Sequence, residues 1–231
     1  MTAELLIDVR GVGKAFGAVT ALEGVSFSLG PHRRMAVLGH SASGKTTLLR
    51  LLAGLELPDE GEVVLSGRTA SSPGWAMPPG RRGLGYVFQS PALWPHMTVA
   101  AHLRFGLHGL SRDEADGRVA ELVELAGLQG LEKRYPDQLS GGQQRRVALA
   151  RTLAPRPGCL LMDEPLTNLD DELRAQMLEL IVRAAEETGA ALVYVTHDRS
   201  EAVALGAAIW RMDAGRLSPP APPGSEGGAN A

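Results

Sequence analysis

The stretch GHSASGKT, Gly39 to Thr46, sets two glycines, a lysine and a threonine at the spacing G-x-x-x-x-G-K-[ST]. It lies between an apolar run, RRMAVLG, that reads as a buried strand and a run, KTTLLRLLAGL, that reads as a helix. In that context the glycine-rich turn is a phosphate cradle. Backbone N–H groups of Gly39, His40, Ser41, Ala42, Ser43, Gly44 and Thr47 around the helix start would hold a β-phosphate. Lys45 would reach the β- and γ-phosphates, and the Thr46 hydroxyl would take Mg²⁺. An ordinary strand-to-helix turn is the competing reading. Lysine is scarce, however, at three residues (Lys14, Lys45 and Lys133) against twenty arginines, so its placement at 45 carries weight.

Two adjacent acids supply a second piece. In CLLMDEP four apolar residues run directly into Asp163 and Glu164, and the carboxyl end of a parallel strand is where open α/β sheets bind ligands. Asp163 there suits a Mg²⁺ ligand, and Glu164 suits a general base that polarises water. A third piece is LSGGQQRR. Ser140 and Gln143 fit a capping box, which leaves Gly141 and Gly142 unexplained, since each glycine costs a helix about 1 kcal/mol relative to alanine. Small residues at a helix start allow close approach of an anion to unpaired N–H groups.

The elements that must position these residues alternate. ELLIDVRGV, GVSFSLGP, RRMAVLG, GEVVLSG, RGLGYVFQ, GCLLMDEP, ALVYVTHD and AAIWRMDAGRL read as strands, and DELRAQMLELIVRAAEETG as a helix. RTASSPGWAMPPGR reads as a loop from its proline and glycine content. Residues 91–154 turn helical, with SRDEADGRVAELVELAGL opening at a serine cap and closing at a glycine. The pattern predicts an α/β fold with a mostly parallel sheet covered by helices on both faces, its core at 1–90 and 155–217 and a helical insert at about 91–154. The Pro/Gly-rich residues 218–231 are expected to be a disordered tail.

A net charge of -3 and pI near 6.1 give no basic footprint, so nucleic acid is not an expected partner. The single cysteine, Cys159, suits a reducing compartment. No signal peptide and no apolar run of spanning length is expected, so membrane work must come through another chain.

Together these motifs, in this order, resemble the ATP-binding cassette family, specifically the ATPase subunit of a transporter, over about Leu5 to Leu217. The resemblance implies a RecA-like P-loop NTPase core with an N-terminal antiparallel β subdomain and an inserted α-helical subdomain. It implies ATP and Mg²⁺ as ligands, and Phe16 stacking on adenine. Gln89 after GYVF would meet Mg²⁺ and report to membrane subunits. Leu139 to Gln143 would be the signature motif, Asp170 in NLD would belong to the loop beyond the second acid, and His197 would be the switch histidine. Taken singly, Phe16, Gln89 and His197 fit core or strand-cap roles; their joint order favours the site. In the family the signature helix addresses the γ-phosphate held by the opposite subunit, so a second copy or a homologous ATPase subunit is implied as partner.

The stretch SPALWPHMTVAAHLRFGL resembles importer ATPases, with Leu93, Trp94 and Met97 facing a short cytoplasmic helix of a permease. The resemblance thereby implies transmembrane permease subunits, an extracytoplasmic solute-binding protein and a place on the cytoplasmic face of the membrane. The regulatory domain that many such importers carry is not expected here. One departure stands out: Ala42 replaces the usual glycine, so that position either keeps φ below zero or is strained. An efflux ATPase, a soluble cassette ATPase acting on DNA or the ribosome, and a P-loop kinase are the alternatives.

Overall fold

The computed structural model describes residues 5–220. Its centre is a six-stranded sheet in the order β11 (Arg216–Ser218), β10 (Ala208–Asp213), β3 (Arg34–Leu38), β9 (Ala191–Thr196), β8 (Cys159–Asp163), β7 (Leu84–Val87). All neighbouring pairs are parallel except β10 with β11. A second, antiparallel sheet has the order β2 (Val19–Leu29), β1 (Ile7–Phe16), β4 (Glu60–Leu65), β5 (Arg68–Ser72), β6 (Trp75–Ala76).

The unbroken apolar runs of β8 and β9 follow from burial on both faces. Cys159, Leu161, Val193 and Val195 turn toward the antiparallel sheet and α1 (Lys45–Ala53), joining Ile7, Val9, Leu48 and Leu52. Their alternates Leu160, Met162, Leu192 and Tyr194 pack on the other side with Leu149 of α4 (Gly141–Leu153) and Ile181 of α5 (Asp171–Thr188). The same cluster takes Val99 and Leu103 of α2 (Val99–Arg104) and Leu122 of α3 (Arg112–Ala126), so the segment between β7 and β8 is a helical layer on one face of the sheet. Ser111 and Glu114 close a capping box on α3, and Gly127 ends it in the left-handed conformation.

Three sequence expectations change. The segment 68–81, read as loop, contains β5, β6 and a 3₁₀ turn at Pro79–Arg81. Its organiser is Arg82, a buried guanidinium that donates to the carbonyls of Leu51, Leu52, Ala70 and Met77 and to the Ser71 hydroxyl. It thus caps the C-terminal end of α1, where a cation is favoured, and joins the two sheets. Burial without a facing carboxylate lowers its pKa to about 10. The run AAIWRMDAGRL forms two strands, because Ala214 (φ 43°) and Gly215 (φ 81°) make a tight hairpin turn between β10 and β11. Ser218, placed in the tail by composition, ends β11; residues 221–231 of the expected disordered tail lie outside the described residues.

Candidate functional site

The cradle sits between β3 and α1. Its two glycines are set by backbone from elsewhere: a Cβ on Gly39 would stand 2.3 Å from the Met212 carbonyl oxygen, and one on Gly44 2.4 Å from that of Ala21. Gly44 also has φ 107°, which side chains rarely adopt. Ala42 has φ 61° and is therefore strained, the second of the two outcomes its sequence allowed. Lys45 is buried, and its ammonium donates to the carbonyls of Gly39 and His40, both at 2.8 Å. That folds the side chain over its own loop and leaves the third N–H toward Glu164, whose Oε1 is 3.5 Å away.

Asp163 closes β8 beside Lys45 and Thr46. The Thr46 hydroxyl donates to Oδ1 at 3.0 Å, and the Tyr86 hydroxyl donates to Oδ2 at 3.0 Å. Burial pushes the Asp163 pKa up, against those two hydrogen bonds, and the neighbouring Glu164 carboxylate adds to the rise. Burial likewise pushes the Tyr86 phenol far above its ordinary range, so it remains a donor. Tyr86 is a site residue that the sequence reading missed; as an aromatic on a strand, it carried no signal that set it apart from core.

Glu164 follows the strand with φ 44°, held by its N–H to the Val195 carbonyl at 3.0 Å. A strained non-glycine residue at a strand end is a recurrent mark of functional sites. Its Oε2 faces His197 Nδ1 at 3.4 Å and accepts from the Thr167 hydroxyl at 3.4 Å. His197 itself is exposed in the turn after β9.

These groups share one cleft of about 320 Å³, lined by Ser41, Ala42, Ser43, Gly44, Lys45, Thr46, Thr47, Gln89, Asp163 and Glu164, with Val19, Thr20 and Ala21 of β2 as its outer wall. The structure therefore brings together cradle, acids and Gln89. Phe16 pairs with Val19 at the end of the same hairpin, exposed, with the Lys14 ammonium 5.2 Å from its ring centre.

Ser140 and Gln143 stand apart, since neither lines that cleft. They form the expected capping box at the start of α4. The two glycines separate in role. A Cβ on Gly142 would lie 2.7 Å from Leu173 Cδ1, so α4 packs closely on α5 there and a methyl would have to displace the end of that half-buried side chain. Gly141 has nothing within 4 Å and faces open space. Gly142 thus has a close contact within the chain, and Gly141 stays open to approach. Asp170 is the N-cap of α5, its Oδ1 accepting from the Leu173 N–H at 2.9 Å. Arg145 of α4 ties that helix to the segment just beyond the acids by donating to the carbonyls of Pro165 and Thr167.

The arrangement fits a polyphosphate with a hard divalent cation. Thr46, Gln89 and Asp163 offer the oxygen donors that Mg²⁺ takes, and the Ser43 hydroxyl is buried in the cradle with no hydrogen-bond partner among the described residues. Chemically, Lys45 supplies a fixed positive charge, and Glu164 supplies a carboxylate at the mouth.

Comparison with known proteins agrees. The chain is 46% identical over 213 residues to the Fe(3+) ions import ATP-binding protein FbpC 2 of Rhodococcus jostii, covering 92% of this chain and 61% of that protein. It is 44% identical to the spermidine/putrescine import ATP-binding protein PotA of Pseudomonas fluorescens, covering 94% and 61%. The chain thus spans about 61% of the length of these curated relatives. Among solved structures it is similar to cbiO1 from Clostridium perfringens, part of the ABC transporter complex cbiONQ, with TM-score 0.82 and 25% identity over 93% of this chain and 87% of that one. It is also similar to the ATP-binding cassette MJ0796 in a dimeric post-hydrolysis state bound to ADP and Pi, with TM-score 0.79 and 31% identity over 91% and 96%. The family model described as ABC transporter matches residues 22–167, from the hairpin wall of the cleft to the loop beyond Glu164, and by that match the chain belongs to the ABC transporter family.

Proposed function

We propose that this chain binds and hydrolyses ATP to power a membrane importer. In this reading it lies on the cytoplasmic face, paired with a second copy or a homologous ATPase subunit. It docks on transmembrane permease subunits that an extracytoplasmic solute-binding protein supplies. The observation that carries it is the single cleft shared by Lys45, Thr46, Gln89, Asp163 and Glu164. Direction of transport rests on the relatives, which are named for import of Fe(3+) and of spermidine or putrescine. Among the described residues no helix is long and apolar enough to cross a membrane.

Thr46, Asp163 and Gln89 would hold Mg²⁺, whose chemistry is to neutralise charge on phosphate oxygens. The chain's own residues do the rest. Backbone N–H groups of the cradle and Lys45 bind and orient the phosphates. Phe16 offers its ring to the base by stacking. Glu164 takes a proton from the attacking water at Oε1 or Oε2, and His197 sits against the same carboxylate to orient it.

One cradle and one distant signature helix per chain imply two equivalent composite sites in a two-fold dimer. Exposed Trp94, against Phe105 and under the Arg151 guanidinium, presents the surface on which a permease helix would rest. Leu93 instead packs on the chain's own core. Calorimetry tests the core claim: Lys45→Ala should lose most of the MgATP affinity, and affinity equal to wild type would overturn it.

A further inference from the structure

His197 is the exposed member of the site, and a single turn residue on the surface does not orient itself. The residue before it is bonded to a buried acid that the proposed reaction does not use. Glu201, in α6 (Arg199–Ala204), is 5% exposed, and its Oε2 accepts from the Thr196 hydroxyl at 2.7 Å and from the Tyr194 hydroxyl at 2.8 Å. Thr196 is itself buried and uses its remaining lone pair to accept the Asp198 N–H at 3.0 Å. The residues on either side of His197 are therefore joined through one hydroxyl, and that hydroxyl is aimed by Glu201.

The second carboxylate oxygen faces another loop. Glu201 Oε1 lies 3.7 Å from Arg174 Nε of α5, a buried N–H with no hydrogen-bond partner. The same guanidinium donates to the Leu169 carbonyl at 3.0 Å and to Asp171 at 2.7 Å. One carboxylate thus connects the His197 turn with the 168–170 segment, which follows Glu164 along the chain. A buried charge of this kind is costly to keep unless paired and hydrogen-bonded, and hydrophobic packing would stabilise the fold as well or better.

We propose that Glu201 is a positioning residue, which through Thr196 fixes the turn presenting His197 to Glu164 and through Arg174 ties that turn to the 168–170 loop. The inference rests on the ATPase reading above. It makes Thr196 and Glu201 act on turnover only by way of His197. A cluster that merely stabilised the fold would act on both forms of the enzyme alike.

The test is a double-mutant cycle in the full chain. Thr196→Val keeps shape and removes the hydroxyl; it should lower kcat about tenfold, the scale of one coupled hydrogen-bonded pair, with KM for ATP unchanged. In a His197→Ala background the same substitution should change the residual rate little, and Thr196→Ser should restore the wild-type rate. Glu201→Gln should follow Thr196→Val. Equal fold-losses in the two backgrounds, or no loss at all, would overturn the inference. A readout independent of turnover guards it: the ring nitrogen NMR signals of His197, assigned by their disappearance in His197→Ala, should shift in Thr196→Val without nucleotide. Unshifted signals would overturn the inference on their own, whereas a wild-type chain that hydrolyses no ATP would overturn the ATPase reading and leave the NMR result to decide this one.

Discussion

His197 Nδ1 and Lys45 Nζ approach opposite oxygens of one carboxylate, at 3.4 Å from Glu164 Oε2 and 3.5 Å from Glu164 Oε1. Three elements meet there: the turn after β9, the first residue of α1 and the end of β8. Glu164 is held in a left-handed backbone conformation, φ 44°, so its side chain is delivered to the mouth of the cleft, while Asp163, one residue earlier, stays buried against Thr46 and Tyr86. Adjacent acids thereby receive different environments, one buried and one more open, which suits the proposed roles of metal ligand and water-activating base.

That division predicts a separation of binding from chemistry. Glu164→Gln keeps the volume, the neighbours and the Asp163 ligand, and removes the base. Hydrolysis should fall by roughly 10²–10⁴, the range of general-base catalysis, while ATP affinity by calorimetry stays within a few-fold of wild type. A variant that lost affinity along with rate would place Glu164 in binding instead.

Asp163 leads to a prediction of opposite sign for stability and function. Its folded pKa is raised, chiefly by burial. A carboxyl raised above its unfolded value of about 3.9 binds more protons folded than unfolded, so stability falls as pH rises through that window and stays reduced at neutrality. Asp163→Asn should therefore melt higher than wild type at pH 7 without nucleotide or Mg²⁺. The gap should close as pH falls, and Mg²⁺-dependent binding should be lost. A lower melting point for Asp163→Asn at pH 7 would refute the account.

Ala42 carries strain that a glycine would release. Left-handed alanine costs about 1–2 kcal/mol, against about 0.4–1 kcal/mol of unfolded-state freedom gained by glycine. Ala42→Gly should thus be neutral to slightly stabilising in thermal melts and leave ATP binding intact. Ala42→Val, β-branched at a positive φ, should melt lower. If Ala42→Gly were clearly destabilising, the loop would need its methyl for packing.

How much of this was legible depended on whether the signal was local. The strand-to-helix turn at Gly39–Thr46, the adjacent acids at the end of β8, the serine cap of α3 and the capping box of Ser140 are short-range patterns with fixed spacing, and all stand where the sequence places them. Tyr86 and Glu201 were invisible, because their roles depend on partners 77 and 5 residues away in another element. The strands β5 and β6 were missed for a similar reason: a Ser-, Gly- and Pro-rich segment becomes a sheet edge only once Arg82 anchors it to α1. The contact of Gly142 with Leu173 was likewise not legible, because Leu173 arrives from α5.

The two glycines at the start of α4 give the most discriminating test of the paired-subunit reading, since one has a contact within the chain and the other faces open space. Gly142→Ala brings a methyl to 2.7 Å from Leu173 Cδ1, the end of a half-buried side chain that must shift, while the helix gains about 1 kcal/mol from alanine. The isolated chain should therefore melt within a few degrees of wild type. Gly141→Ala meets nothing within 4 Å and replaces glycine in the first turn of a helix, so the isolated chain should be as stable as wild type or slightly more so. If the space before Gly141 is filled by a nucleotide on the opposite subunit, however, that methyl intrudes on the closed dimer. In the Glu164→Gln background, size-exclusion chromatography with light scattering in MgATP should show a dimer. Adding Gly141→Ala should weaken the dimer without lowering the melting temperature of the nucleotide-free chain; adding Ser140→Arg should abolish the dimer and, because it removes the cap of α4, lower that melting temperature by roughly 2–4 °C. A Glu164→Gln, Ser140→Arg protein that still dimerises with ATP would remove the signature helix from the shared site.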